Sequence, residues 1–254
     1  MDTESTNSSN EGLVEALWRK KQITHPLVKA AFLKVDRGQY APENAYEDKP
    51  QRLSPRASIN SPSMHAKAVE TLLPYLLPVE GAEEAVGVRG RPRRILDIGS
   101  GSGFLVHVFA ELAGETSLVV GVDHVEDLRK LGEANMRKSA EGAALVDSGR
   151  VRFRLGDGRR GWHEPSPEDA SSPNNDGWDV IHVGAAVVKL HNELVRQLRC
   201  PGRLLIPVAD EEDNWFSDKY IWTVDKDENG RITKKKHNKV WLVSPMDVPR
   251  RSAT

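Results

Sequence analysis

Cysteine is nearly absent from this chain of 254 residues: Cys200 stands alone, so no internal disulfide and no cysteine-based metal cluster can form. A single thiol suits a reducing compartment. Neither sign of charge dominates, because 36 Lys and Arg face 37 Asp and Glu for a net charge of −1. Without a basic excess nothing points to nucleic acid as a partner, and the six tryptophans are scattered rather than interleaved with basic residues. No apolar run approaches the roughly 18 residues of a spanning helix. The polar, acidic stretch Met1 to Gly12 lacks the apolar centre of a signal peptide. A cytoplasmic location with no membrane attachment is expected. His107, His163 and His237 have no ligand-like spacing with other histidines or acids, so no metal site is expected.

What is present is the profile of a globular protein, 38% hydrophobic and 29% charged, long enough for one sizeable domain. Residues 1–11 read as a disordered lead-in and 12–254 as one domain. Within it, 12–78 forms a helical cap with a substrate loop, and 93–248 forms an α/β sheet. Leu13 and Leu17, then Leu27, Val28, Ala31 and Val35, suggest two short helices. Tyr40 to Ser61 is irregular, broken by Pro42, Pro50 and Pro55. After Pro62 the spacing His65, Val69, Leu72, Leu73, Leu76 marks one helical face, with Ser61 or Asn60 as its cap. Val79 to Arg93 reads as a surface loop, and Trp162 to Gly177 contains a flexible insertion. Strands are expected at Arg94–Asp97, Leu118–Asp123, Val151–Leu155, Trp178–Val183 and Arg203–Val208. Helices are expected near Phe104–Ala113, Val125–Lys138 and His191–Leu198. This rhythm implies a doubly wound, mostly parallel sheet covered on both faces. Two further β-like stretches, Lys219–Val224 and Lys239–Val243, flank a hairpin turn at Asp227–Gly230, and the Lys234–Lys236 run is a solvated hairpin face.

Asp97-x-Gly99-x-Gly101-x-Gly103 follows a strand and opens a helix, so its backbone can pass close to a ligand. The dinucleotide fingerprint needs a sixth-place glycine, and Phe104 stands there; the lysine of a phosphate-binding loop is also missing. The pattern fits a ligand without a pyrophosphate, as in S-adenosylmethionine methyltransferases. Asp123 ends the second strand, 24 residues after Gly99, where an acid can meet ribose hydroxyls. Asp157 and Gly158 follow the third strand, placed for an adenine, and Asp97 suits the amino-acid end. The plainer reading of such acids is helix capping, but here three successive strand ends each carry one.

Over nearly its whole length, Leu13 to Asp247, the chain resembles the protein-L-isoaspartate (D-aspartate) O-methyltransferase family. The resemblance is carried by Tyr46-Glu47-Asp48-Lys49-Pro50, Ser58-Ile59-Asn60-Ser61-Pro62-Ser63-Met64-His65-Ala66, the glycine turn, Gly121-Val122-Asp123-His124, Gly156-Asp157-Gly158-Arg159 and Asp179-Val180-Ile181-His182-Val183-Gly184-Ala185-Ala186. The glycine turn marks only the superfamily of class I methyltransferase folds; the segments before the sheet and around His182 are narrower signals. The resemblance implies methyl transfer from S-adenosylmethionine to the free carboxylate of isoaspartyl (and D-aspartyl) residues in damaged proteins. It implies a rearranged order of the last strands and action as a monomer on isoaspartyl-containing peptides and proteins. It also assigns Ala57, Ser58, Ile59, Asn60, His65, Asp97, Gly99, Gly101, Ser102, Asp123, His124, Asp157 and Gly158 to the cofactor. Asn60, Ser58 and Ser61 are assigned to catalysis. A carboxylate acceptor is already ionised at neutral pH, so the missing catalytic base is no objection.

The family reads Thr-Ile-Ser-Ala-Pro-His-Met-His where this chain reads Ser58-Ile59-Asn60-Ser61-Pro62-Ser63-Met64-His65, so Asn60 replaces the family's active-site serine. Its amide can still donate to a carboxylate. In the tail, Met246 stands where the family has a threonine. A changed methyl acceptor and a non-catalytic cofactor-binding adaptor are the two rival readings. His182, mid-strand in a buried run, is expected to be structural rather than catalytic.

Overall fold

The structure, a computed structural model, describes residues 7–55, 57–78, 92–164, 177–210 and 217–240. Its N-terminal part is helical, as the apolar spacing predicts. α1 (Asn10–Arg19) buries Leu13, Val14 and Leu17, and α2 (Pro26–Lys34) buries Val28, Ala31 and Phe32. Residues 7–11, expected in a disordered lead-in, are instead held in place. Ser9 caps α1 by accepting the Gly12 N–H at 3.1 Å, and the Asn10 amide donates to the Phe32 carbonyl at 2.8 Å. The remainder of that lead-in, 1–6, lies outside the described residues. The stretch expected to be irregular contains a short antiparallel pair, β1 (Gln51–Ser54) and β2 (Ala57–Ile59). Ser61 caps the next helix, α3 (Pro62–Leu76), whose buried face carries His65, Val69, Leu72, Leu73 and Leu76.

The sheet then alternates with helices: β3 (Arg94–Ile98), α4 (Phe104–Leu112), β4 (Leu118–Asp123), α5 (Glu126–Met136), α6 (Ala140–Asp147), β5 (Val151–Leu155), β6 (Trp178–Val183), α7 (Asn192–Arg196), β7 (Leu198–Ala209), β8 (Lys219–Lys226) and β9 (Ile232–Val240). Among the described residues, seven strands lie in the order β5-β4-β3-β6-β7-β8-β9. The first five of these are mutually parallel, while β8 and β9 join antiparallel in chain order. This is the doubly wound, mostly parallel α/β architecture that the strand–helix rhythm predicts.

Several boundaries differ from expectation. α6 is an additional helix, capped by Ser139. α7 stops short of Leu198 because that residue already opens β7, which begins well before Arg203. β9 starts at Ile232, ahead of the expected Lys239, and 241–243 lie outside the described residues. The expected insertion at 162–177 is anchored at its start. Glu164 is buried and accepts from Arg152 Nη1 at 2.8 Å, Arg154 Nη2 at 2.7 Å and Trp162 Nε1 at 2.6 Å.

Strand alternation decides which groups reach the site. Ile95 and Val180 belong to the core beneath α3, α4 and the cap helices, whereas Leu96, Ile98, Ile181 and Val183 belong to the core on the opposite face. Asp97 and His182 share the parity of Ile95 and Val180, and the parallel register sets the two opposite each other. Both therefore emerge on the face that the cap covers, at the carboxyl ends of their strands.

Candidate active site

The glycine turn leaves β3 with Gly99, Gly101 and Gly103 at φ of +74°, +50° and +85°. The last is tied to its place most tightly, since a Cβ on Gly103 would lie 2.8 Å from the Gly132 carbonyl oxygen. Above the turn lies a small cavity that opens to solvent. Ser58, Ile59, Asn60 and His65 line one side; Asp97, Gly99, Ser100, Gly101, Ser102, Leu105, His182 and Gly184 line the other. The structure thus brings together eight of the residues that the sequence proposed. Ser100, Leu105, His182 and Gly184 are additions. The signal for Ser100 was present inside the glycine motif, and that for His182 was its even spacing from Val180 on a strand beside β3.

Ala57, Ser61, Asp123, His124, Asp157 and Gly158 stand outside that lining. Ser61 is committed to its helix, its hydroxyl accepting the Met64 N–H at 3.4 Å and lying 3.2 Å from Ser63 Oγ. Asp123 closes β4 with its carboxylate buried, accepting from the N–H groups of Val125 at 3.0 Å and Gly101 at 3.3 Å. Burial pushes its pKa up despite those bonds, which leaves an under-solvated carboxylate receptive to further donors. Asp157 caps a short 3₁₀ turn, Gly158–Arg160, and its carboxylate is gripped by Arg159 at 2.9 and 2.8 Å, which holds its pKa down at about 2. Gly158 packs against β3, and a Cβ there would fall 2.1 Å from Ile98 Cγ2. His124 is largely exposed.

Two histidines face the cavity. His182, expected to be structural, lines it while its Nδ1 sits 2.6 Å from Asp97 Oδ1; both are buried. His65 stacks on Phe104 at 5.3 Å between ring centroids, with its Nδ1 3.2 Å from Arg37 Nη1. Burial, then Arg37 and then His182, drive the His65 pKa well below its ordinary value, so the ring is neutral. The side chains of Ser58 and Asn60 make no hydrogen bond among the described residues, although the Asn60 carbonyl is fixed by Arg37 Nη2 at 2.7 Å.

The site fits an adenosine-containing donor of methyl groups by its own chemistry. Ser100 Oγ is buried against the turn with no partner, and Asp123 keeps lone pairs beyond its two backbone bonds. A glycine turn after β3 and an acid at the end of β4, on a mostly parallel sheet, define a class I S-adenosylmethionine-dependent methyltransferase. The particular family follows from comparison. A family model described as protein-L-isoaspartate(D-aspartate) O-methyltransferase matches residues 7–248. The chain belongs to that family. It is 34% identical over 231 residues to a protein-L-isoaspartate O-methyltransferase of Caenorhabditis elegans, covering 91% of this chain and 89% of that one. It is 33% identical over 241 residues to protein-L-isoaspartate O-methyltransferase 1 of Arabidopsis thaliana, covering 94% and 92%. Among solved structures it is similar to a Plasmodium falciparum protein assigned as a protein-L-isoaspartate O-methyltransferase and crystallised with S-adenosyl-L-homocysteine. That match has a TM-score of 0.75 at 28% identity and covers 94% of this chain and 98% of the other.

Proposed function

We propose that the chain transfers a methyl group from S-adenosylmethionine to the free carboxylate of isoaspartyl (and D-aspartyl) residues in damaged peptides and proteins. The observation that carries this reading is one cavity with two unlike sides: uncommitted donors on Ser58 and Asn60 face a glycine turn with an orphan Ser100 hydroxyl. The glycine turn, Ser102 and Asp97 hold the donor's amino-acid end, and Asp123 and the Asp157–Gly158 segment hold its adenosine. The bound donor supplies an electrophilic sulfonium methyl, which an ionised carboxylate oxygen can take without gaining or losing a proton. Asn60 and Ser58 donate hydrogen bonds that orient that carboxylate. The cap helices, packed over the same face as Asp97 and His182, shield the site from water. No residue needs to act as a base, and burial makes the His65 imidazole a poor proton acceptor by lowering its pKa well below the ordinary value. The same reading has the protein act as a monomer in the cytoplasm, with Cys200 reduced. No helix among the described residues is long and apolar enough to cross a membrane.

The test is labelled methyl transfer to an isoaspartyl peptide beside its ordinary aspartyl twin. Labelling of the isoaspartyl peptide alone is expected. Equal labelling of both would overturn the repair reading in favour of a changed acceptor, and donor binding without transfer to any acceptor would favour an adaptor.

A further inference from the structure

One buried cation beside this site has no part in the chemistry described so far. Arg37 lies in a 3₁₀ turn, Arg37–Gln39, and exposes only 1% of its surface. It forms no ion pair among the described residues, and its Nε has no partner. Asp48 acts on it only through its field, and burial draws its pKa down to about 10, so it remains charged at neutral pH. Its plane rests 5.4 Å from the Phe104 ring centroid, the same ring on which His65 stacks. Desolvating a guanidinium without a carboxylate is unfavourable, so its two directed bonds demand a reason.

Those bonds run to the rim of the cavity. Nη2 donates to the Asn60 carbonyl at 2.7 Å, and Nη1 meets His65 Nδ1 at 3.2 Å. A guanidinium has only donors, so His65 Nδ1 must accept, and the ring proton must sit on Nε2. No described residue takes that Nε2–H, and His65 lines the cavity. The charged and titratable groups around His65 are Arg37 from the turn, His182 from β6 with Asp97 of β3 behind it, and Asp48 acting on Arg37.

We propose that Arg37 is a positioning residue of this site, locking His65 as a neutral Nε2–H donor and pinning the Asn60 backbone so that both meet the acceptor carboxylate. The proposal rests on the methyl-transfer reading for the identity of that carboxylate. A neutral donor has a specific merit here. An imidazolium would place a positive charge beside a sulfonium, whereas Nε2–H supplies a hydrogen bond without that repulsion.

The test uses the full chain, with imidazole nitrogen NMR across pH 5 to 9 on wild type, R37M and R37K, and H65Q to assign the His65 signals. Wild-type His65 is expected as the Nε2–H tautomer alone. In R37M its tautomers should mix and its pKa should rise, while R37K, which keeps a cationic donor, should restore the single tautomer. In methyl transfer at saturating donor, R37M should lose about tenfold in kcat/KM for the isoaspartyl peptide, the weight of one charge-assisted hydrogen bond. Its KM for the donor should change less than about twofold, and its pH profile should gain an acid limb. An unchanged tautomer, pKa and profile in R37M would overturn the proposal. So would a proton on Nδ1 in wild type, which decides the matter even if R37M fails to fold. Absence of methyl transfer by the wild-type enzyme would sink the functional reading and leave the tautomer result standing on its own.

Discussion

In the proposed reaction Asn60 orients the acceptor carboxylate, and N60A isolates its side chain. The backbone there is held independently, because Arg37 Nη2 fixes the Asn60 carbonyl at 2.7 Å, and an alanine keeps that carbonyl in place. The amide itself bonds to nothing among the described residues. Truncation should therefore cost little stability, under about 1 kcal/mol, since no buried partner is orphaned. What disappears is a donor to an ionised carboxylate, a bond of about 1.5–3 kcal/mol. At roughly 1.4 kcal/mol per factor of ten, kcat/KM for the isoaspartyl peptide should fall about 10- to 150-fold. The assay is initial-rate transfer of labelled methyl at saturating S-adenosylmethionine, with donor affinity and thermal midpoint measured on the same preparations; both should stay near wild type. N60S keeps one hydroxyl donor and places the family's serine in the loop, so it should equal or exceed the wild-type rate. An N60A enzyme within twofold of wild type in kcat/KM would refute the role given to this side chain.

Three other outcomes are expected. G103A should lose clearly more stability in urea than G99A: both incur about 1–2 kcal/mol of left-handed backbone strain, but only the former drives a Cβ to 2.8 Å from a backbone oxygen, that of Gly132, while the nearest atom to the latter is at 3.8 Å. D179N should destabilise by about 3–5 kcal/mol in the same assay, because the fully buried carboxylate accepts from Arg94 N at 2.8 Å, Arg199 Nη1 at 3.0 Å and Arg93 Nη1 at 3.3 Å, and its charge would be removed from between two buried guanidinium groups; a loss below about 1 kcal/mol would contradict this. His65, with its folded pKa depressed below the ordinary 6.5, contributes stability that is fully present above that pH and is lost as pH falls below it, since the unfolded chain then binds a proton the folded one refuses. Between pH 6.5 and 5 wild type should lose up to about 1.4 kcal/mol per pH unit more than H65Q, and parallel curves for the two would contradict the neutral buried ring.

Local pattern accounts for much of this protein. The glycine turn, the apolar strands from Arg94 to Val183, the Ser61 cap and the hairpin turn ending at Gly230, where φ is +78°, were legible because each depends on neighbours within a few residues. So was the methyl donor, because the spacing from Gly99 to Asp123 spans one turn, helix and strand in succession. The Ala-rich segment that folds as α6, and the early start of β7, were not legible, since tertiary packing settled those boundaries. Long-range register decided the rest. Asp97 and His182 are 85 positions apart and meet only because β3 and β6 are adjacent, parallel and in phase. Arg37, 28 positions from His65, looks in the sequence like any surface cation, and only the closing of the cap over Phe104 buries it against the acceptor loop. The cofactor class and the strands that present it thus follow from local period and turn chemistry, which short stretches of the chain carry. Which side chains face one another across the cavity, and in which protonation state, was decided by sheet order and burial, which no short stretch of sequence encodes.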